Sequence, residues 1–206
     1  EILAVEPMWE ETEDSWREFM RKLKRRGVRR VKMFISDAHA GIQGAVRKEW
    51  VGSSWQRCKV HFMRNILVRV PHRDKARVAE KLKQIWLQPD KRSAEKLATL
   101  IIEEYEGRYP EAMRCLEEGL EDSLQFYFFP EIDKRRLSST NGLERTNREI
   151  RRRSRVVGVF PSVESYLRLI TSYLIEYSED WANEYAYIRA DKLGQLLESE
   201  QAQAAS

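Results

Sequence analysis

Two acidic residues stand where they could hold a metal ion over a phosphate group. Asp37 follows the apolar run 31–35, and Glu144 stands near the start of an arginine-rich segment. A carboxylate pair carried by a sheet and a helix can anchor the divalent ions of phosphoryl transfer, while nearby cations hold a nucleic-acid backbone. Each acid alone has a plainer interpretation. Asp37 can be a turn or capping residue, and Glu144 can form an ion pair with Arg148 four positions on.

Positive charge is concentrated in the segment around Glu144. Residues 134–155 contain nine lysines and arginines and two acids, a net charge of +7 in a chain whose total is +4, so the remainder carries −3. This concentration predicts contact with a polyanion. The alternative is a solvated helix face, although such faces usually mix the two signs of charge.

Cys58 and His61 form a Cys-x-x-His pair at a predicted strand-to-helix junction. A structural zinc site usually has four protein ligands. The other candidate ligands are Cys115, His39 and His72, and their spacings match no common zinc module. The pair alone therefore favours a packing or orienting role over a structural zinc site.

The composition is that of one globular domain without secretory or membrane features. The 206 residues are 42% hydrophobic and 34% charged, and the isoelectric point is near 9.0. Two cysteines are too few for a disulfide framework, so we expect a reducing, cytoplasmic setting. No apolar run approaches the ~20 residues of a membrane span, and no signal peptide opens the sequence.

The first part of the chain predicts a sheet with helices on its faces. A strand at Ile2–Val5, a helix and a strand at 31–35 would form a βαβ unit with a parallel strand pair. A further strand is predicted at 55–58, followed by a helix from His61. Asp37 would then lie beyond the carboxyl end of a strand, where functional side chains gather in open α/β sheets.

The rest of the chain is predicted to be helical. Residues 74–133 show apolar residues at helical spacing, interrupted by Pro89 and Pro110, and read as an all-α insertion. A cap at Thr140 or the next residue would begin another helix, which Gly158 would end. That helix would carry the concentrated arginines.

Three segments, in this order, resemble the Mutator-type transposases of bacterial insertion sequences, which are enzymes of the DDE class. FISDAHAGI resembles the segment with the second catalytic acid and places it at Asp37. WQRCKVHFMRN resembles the Cys-x-x-His signature and places it at Cys58 and His61. STNGLERTNREIRRRSRVVGVFPS resembles the block with the catalytic glutamate and places it at Glu144, with a basic residue at Arg151. Each motif alone is weak, and the ordered set is specific.

The resemblance implies an α/β fold, an RNase H-like catalytic core with an all-α insertion. It covers about residues 1–188 in order and spacing. The implied division is a first part of the core at 1–73, the insertion at 74–133 and the carboxyl-terminal core helices at 134–188. A disordered tail is expected at 189–206.

The activity implied by the resemblance is DNA transposition by two-metal phosphoryl transfer. The element's 3′ end would be hydrolysed, and the freed 3′-OH would attack target DNA. Asp37 and Glu144 would bind Mg²⁺ or Mn²⁺, and Cys58 and His61 would support the site or contact flanking DNA. The implied partners are transposon ends, target DNA and a second copy of the protein on paired ends, in the bacterial cytoplasm at the nucleoid. The residues implied to position phosphates are Arg145, Arg148, Arg151, Arg152 and Arg153.

One departure from the family pattern limits this expectation. The first catalytic aspartate of such enzymes lies on the first core strand, and Ile2–Val5 would be the third. We therefore expect a core truncated at its amino terminus and a chain that is inactive alone. A non-catalytic DNA-binding remnant or regulator is one alternative. Another is an RNA-binding or structural helical protein whose arginines serve a protein interface.

Overall fold

The computed structural model of the chain describes residues 2–184, 188, 191–192 and 194–195. The predicted disordered tail therefore lies almost wholly outside the described residues. Most described residues are helical, and the elements follow in this order: α1 (Glu13–Arg25), β1 (Met33–Ser36), α2 (Ala40–Glu49), β2 (Ser54–Arg57), α3 (Lys59–Leu67), α4 (His72–Ile85), α5 (Lys91–Tyr105), α6 (Pro110–Ser123), a 3₁₀ turn (Gln125–Phe128), α7 (Lys134–Leu137), α8 (Asn141–Val157) and α9 (Val163–Glu184).

The described sheet consists of β1 and β2, which pair in parallel from Met33↔Ser54 to Ser36↔Arg57. The strands predicted at 31–35 and 55–58 are thus confirmed, with boundaries shifted by one or two residues. The helix α2 makes the crossover between them, as a parallel pair requires. The parallel register has one consequence for function: the residues that follow each strand leave the sheet at the same end.

The strand predicted at Ile2–Val5 is wrong. The segment has an irregular backbone and takes no part in the sheet. Ile2 packs on the apolar residues shared by α8 and α9, and the Leu3 carbonyl accepts a hydrogen bond from Arg26 Nη1 at 2.6 Å. A cavity of about 310 Å³ separates the segment from Ile35 of β1. A strand needs a neighbouring strand to pair with, and Ile2–Val5 has none among the described residues. The observed βαβ unit is therefore β1–α2–β2, and not the predicted unit that began at Ile2–Val5.

The outer edge of β1 is open in the described part of the chain. The Cys58 N–H donates to the Ser36 carbonyl at 2.7 Å, so Ser36 faces β2. Alternate residues of a parallel strand face opposite neighbours, and Met33 and Ile35 therefore turn their backbone groups away from β2. Ile35 lines the cavity beside this edge.

The largest hydrophobic core joins α3 to the helices α4, α5 and α6. These three helices confirm the helical prediction for residues 74–133, with Pro89 between α4 and α5 and Pro110 as the first residue of α6. Phe62 and Ile66 of α3 are fully buried in this core. A smaller core lies under α1 and α2, where Phe34 of β1 packs against Trp50 with ring centroids 5.1 Å apart.

Gln56 of β2 connects the sheet to the helices α4–α6, which we call the helical region. Its side chain is fully buried, and its Nε2 donates to the Ser123 carbonyl at 2.9 Å at the end of α6. Its Oε1 accepts from the Phe126 N–H at 2.9 Å. A buried amide whose donor and acceptor are both used fixes the position of two elements relative to each other, because unpaired polar groups in the interior are costly.

The helices α8 and α9 form the remaining layer. Ile150 of α8 packs against Ile170, Tyr173 and Leu174 of α9. The predicted end of the arginine-rich helix at Gly158 is confirmed, and this glycine has a φ of 79°, which a residue with a Cβ rarely adopts. Among the described residues, no helix has both the length and the apolar composition that crossing a membrane requires.

The substitution Gln56→Leu is expected to lower the free energy of unfolding by about 2–4 kcal/mol, because it leaves the Ser123 carbonyl and the Phe126 N–H buried without partners. Chemical denaturation monitored by circular dichroism measures this change. The matched control is Gln84→Leu, at an exposed position on α4, which we expect to change stability by less than about 0.5 kcal/mol. Equal effects of the two substitutions would contradict the role of Gln56.

Candidate functional site

Three segments of the chain meet at Cys58, and we call this meeting point the Cys58 junction. The Cys58 N–H donates to the Ser36 carbonyl at 2.7 Å, which ties the end of β1 to the end of β2. The next amide, Lys59 N–H, donates to the Ser138 carbonyl at 2.9 Å. The Thr140 N–H donates to Cys58 Sγ at 3.4 Å. The junction thus brings the Asp37, Cys-x-x-His and Glu144 segments to one end of the sheet.

Glu144 faces the junction from the first turn of α8. Its Oε1 lies 3.3 Å from Thr140 Oγ1 and 3.6 Å from His61 Nδ1. The ion pair with Arg148 that the spacing allows is not formed, and Arg148 is exposed with no hydrogen bond or ion pair to any described residue. Glu144 is therefore held by the Cys58 junction and not by its neighbours on the helix surface.

Thr140 precedes α8 and confirms the predicted start of the helix. Its side chain, however, makes no capping hydrogen bond to the helix. The hydroxyl lies instead 3.3 Å from Cys58 Sγ and 3.3 Å from Glu144 Oε1. Threonine often caps helices, but the hydroxyl of Thr140 instead lies between the sulfur of Cys58 and the carboxylate of Glu144.

His61 lies one turn after Cys58 and points to the same place. Its Nδ1 is buried and has no hydrogen-bond partner among the described residues, since the 3.6 Å to Glu144 exceeds hydrogen-bond distance. Cys58 Sγ, His61 Nδ1 or Nε2 and a Glu144 oxygen all lie within 4.8 Å of one another. A buried ring nitrogen without a partner is unusual and calls for an explanation.

Asp37 is exposed and directly follows β1 at the same end of the sheet. Its carboxylate has no hydrogen bond or ion pair within the part of the chain that the structure describes. The helix α2 begins after His39, whose side chain makes no capping bond, so Asp37 does not cap this helix. The backbone at Asp37 thus leaves the sheet next to Cys58, and its carboxylate has no partner among the described residues.

The arginines of α8 divide between two faces. At about 100° per residue, Glu144, Arg148, Arg151 and Arg155 fall within about 60° of one another, and we call this set the Glu144 face. All three of its arginines are exposed. Arg155 was not among the predicted phosphate-contacting residues, although its spacing of four from Arg151 continues the same row.

The other arginines point elsewhere. The guanidinium of Arg153 lies 3.9 Å from the centre of the Tyr173 ring, on the side of α8 that packs against α9. Arg152 Nε donates to Glu149 Oε2 at 2.9 Å. Arg145, about 100° from Glu144, is exposed. The structure therefore brings Arg148 and Arg151 to the side of Glu144, but not Arg153.

Two further cations flank Cys58 along the chain, and neither was predicted to be functional. Burial lowers the pKa of the Lys59 ammonium, and the nearby positive charge of Lys134 lowers it further. Burial also lowers the pKa of the Arg57 guanidinium, which lies 4.1 Å from the centre of the Phe62 ring. The ammonium of Lys59 is thus partly buried next to Cys58, whereas the guanidinium of Arg57 is directed towards α6, near Asp122 and Glu118.

Comparison with known proteins places these residues in a family context. A sequence model of the family described as "Transposase, Mutator family" matches residues 1–184. The transposase for insertion sequence element ISRM5 of Rhizobium meliloti (strain 1021) is 36% identical over 193 residues, 94% of this chain and 48% of the relative. The transposase for IS256 in transposon Tn4001 of Staphylococcus aureus is 37% identical over 185 residues, 88% of this chain and 47% of the relative.

A third relative shows the same extent of similarity. The transposase for insertion sequence element IS406 of Burkholderia multivorans (strain ATCC 17616 / 249) is 34% identical over 188 residues, which are 91% of this chain and 48% of the relative. The chain thus spans about half the length of the curated relatives that it matches.

The substitution Cys58→Ala tests whether the junction holds the start of α8. We expect faster amide hydrogen exchange at Thr140, because its N–H loses the sulfur that accepts it, with a loss of about 1–3 kcal/mol in the free energy of unfolding. Hydrogen exchange followed by NMR measures both. The control is Cys115→Ala, since Cys115 is a partly buried cysteine of α6. Unchanged exchange at Thr140 in Cys58→Ala would show that the sulfur does not hold this segment.

Proposed function

The chain belongs to the Mutator family of transposases, and on that premise we propose that it carries two of the three catalytic acids of a DDE-type enzyme. The observation that carries this proposal is the Cys58 junction, which brings the Asp37 and Glu144 segments to one end of the sheet. The proposed reaction is hydrolysis at the 3′ end of the element followed by strand transfer to target DNA.

An RNase H-like core is the fold we propose for the complete catalytic domain. Support comes from the open outer edge of β1 and from the cavity between Ile35 and Ile2–Val5. A larger sheet would continue from the open edge of β1 across this gap. The helices α4–α6 would then be the insertion, at residues 74–133, between the second acid and the glutamate.

The donor atoms at the sheet end fit a Mg²⁺ or Mn²⁺ ion. Both Asp37 and Glu144 offer carboxylate oxygens, and Mg²⁺ is commonly held by one or two carboxylates together with water and substrate phosphate. Neither carboxylate is neutralised by a close ion pair with Lys or Arg in the described residues. When bound, the ion supplies Lewis-acid stabilisation of the phosphate and activates the attacking hydroxyl.

The chain's own residues would orient the DNA at this site. The Glu144 face presents Arg148, Arg151 and Arg155 in a row along α8 on the same side as the carboxylate, and these exposed guanidinium groups can each contact a phosphate. Asp37 and Glu144 would hold the scissile phosphate through the ion, while the arginines fix the register of the backbone on either side. Joining two element ends would require two copies of the protein, in the bacterial cytoplasm at the nucleoid.

A non-catalytic role in DNA binding or regulation is the second candidate for the chain by itself. One observation favours it: within the described ranges, the one group of three or more potential metal ligands combines a single carboxylate, Glu144, with Cys58 and His61. A set of three carboxylates is therefore not assembled by these residues. In both candidate functions the arginines of α8 bind DNA, and the two functions differ in whether the DNA is cleaved.

Strand cleavage of transposon-end DNA in Mg²⁺ or Mn²⁺ separates the two candidates. We expect no cleavage by this chain and cleavage by a version extended upstream to include the first acid. In the extended version, Asp37→Asn and Glu144→Gln should each lower the rate by more than about 100-fold, since loss of a metal ligand exceeds the ~10–100-fold effects of outer-shell residues.

The control for this assay is Glu149→Gln in the extended version, because Glu149 lies on the same helix and pairs with Arg152 on another face. It should retain its rate. Cleavage by the chain alone would refute the expected inactivity, and cleavage by the extended Glu144→Gln protein would refute the role of Glu144.

The Glu144 face also predicts the salt dependence of DNA binding. Replacing Arg148, Arg151 and Arg155 together by Gln should reduce the slope of log K against log salt by about 2–3, because each phosphate contact contributes ~0.9. Fluorescence anisotropy with labelled duplex DNA measures this slope. The control replaces three exposed arginines of the helical region, Arg73, Arg92 and Arg108, which removes the same charge. An equal loss of slope in both triple variants would contradict a specific arginine face.

A further inference from the structure

Cys58, His61 and Glu144 offer three different ligand atoms around one point. The sulfur, a ring nitrogen and a carboxylate oxygen lie within 4.8 Å of one another, and His61 Nδ1 and Glu144 Oε1 are 3.6 Å apart. Around a tetrahedral zinc ion with bonds of 2.0–2.3 Å, such ligand atoms are separated by about 3.3–3.6 Å. His61 Nδ1 and Glu144 Oε1 already have this separation, and the 4.8 Å limit on the other pairs requires shifts of at most about 1–1.5 Å for all three to share one ion.

Hydrogen bonding within the protein leaves this cluster incompletely satisfied. His61 Nδ1 is buried without a partner in the described residues, although a carboxylate is its neighbour. Cys58 Sγ, in contrast, is approached by the N–H and the hydroxyl of Thr140 at 3.4 and 3.3 Å. Hydrogen-bond donors directed at a sulfur stabilise the thiolate form, which is the form that binds metals.

We propose that Cys58 Sγ, His61 Nδ1 and Glu144 form a binding site for Zn²⁺, separate in its chemistry from the Mg²⁺ site. Thiolate and imidazole ligands favour zinc over magnesium, which prefers oxygen ligands alone. Three protein ligands leave the fourth tetrahedral position open for water or a phosphate oxygen. On binding, the ion displaces the thiol proton of Cys58 to the solvent.

The shared carboxylate gives the zinc site a consequence for catalysis, and this consequence rests on the proposed function. Glu144 would serve either the zinc site with Cys58 and His61 or the magnesium site with Asp37. Zn²⁺ would then inhibit cleavage by withdrawing Glu144 from the catalytic ion. The binding of Zn²⁺ itself does not depend on any catalytic role.

Cobalt absorption spectroscopy tests the zinc site without an activity assay. Co²⁺ bound to a thiolate gives a ligand-to-metal charge-transfer band, and Zn²⁺, which binds such ligands more tightly, should abolish the band when added. We expect one Co²⁺ per chain. Cys58→Ser should remove the band, and His61→Gln and Glu144→Gln should each weaken Co²⁺ binding by about tenfold or more. Circular dichroism confirms that each variant is folded.

Matched controls use the other cysteine and another histidine of the chain. Cys115→Ser and His39→Gln should leave the band and the affinity unchanged, as Cys115 lies in α6 and His39 precedes α2. The absence of a thiolate band in the unsubstituted chain would overturn the proposal and leave a hydrogen-bonded cluster. So would a band that survives Cys58→Ser or disappears in Cys115→Ser.

The substitution Asp37→Asn distinguishes failure of this inference from failure of the proposed function. Asp37 belongs to the magnesium site alone, so the variant should bind Co²⁺ with unchanged affinity. Loss of Co²⁺ binding in Asp37→Asn would overturn the separate zinc site. Unchanged cleavage by Asp37→Asn in the extended protein would instead refute the catalytic assignment, and the Co²⁺ result would stand.

Discussion

The candidate site depends on the backbone hydrogen bonds of the Cys58 junction. Cys58 is fully buried, and its N–H and that of Lys59 bind two different segments, the end of β1 and the segment before α8. Each such buried bond costs about 1–3 kcal/mol when one partner is left unpaired. The three motif segments are separate in the sequence, and these bonds join them at one end of the sheet.

The helical region contributes to this arrangement although it carries no predicted catalytic residue. Phe62 is fully buried in the core of α3–α6, and the residue before it, His61, faces Glu144. Gln56 then ties the end of α6 to the strand that leads into Cys58. The position of His61 therefore depends on how α3 and β2 pack against the helical region. Substitutions in that core are expected to affect the site through His61.

Local sequence patterns predicted the helices within residues 74–133, the arginine-rich helix and both strands of the sheet, since periodicity reports which face of an element is buried. They failed at Ile2–Val5, because an apolar run becomes a strand only where a neighbour offers its backbone. The partner of Glu144 also escaped prediction, because Arg148 is near in sequence whereas His61 is near only in the fold. For the same reason, the sequence did not reveal that the guanidinium of Arg153 packs on the ring of Tyr173 in α9.

The position of a bound metal ion shows whether Asp37 and Glu144 belong to one site. Crystals of the chain, or of the version with the first acid, soaked in Mn²⁺ would reveal the ion by its anomalous scattering. We expect a peak at about 2.1–2.3 Å from an oxygen of Asp37 and an oxygen of Glu144, as oxygen-ligated divalent ions require. A Mn²⁺ ion bound without Asp37, or two carboxylates on opposite faces of the sheet, would contradict it.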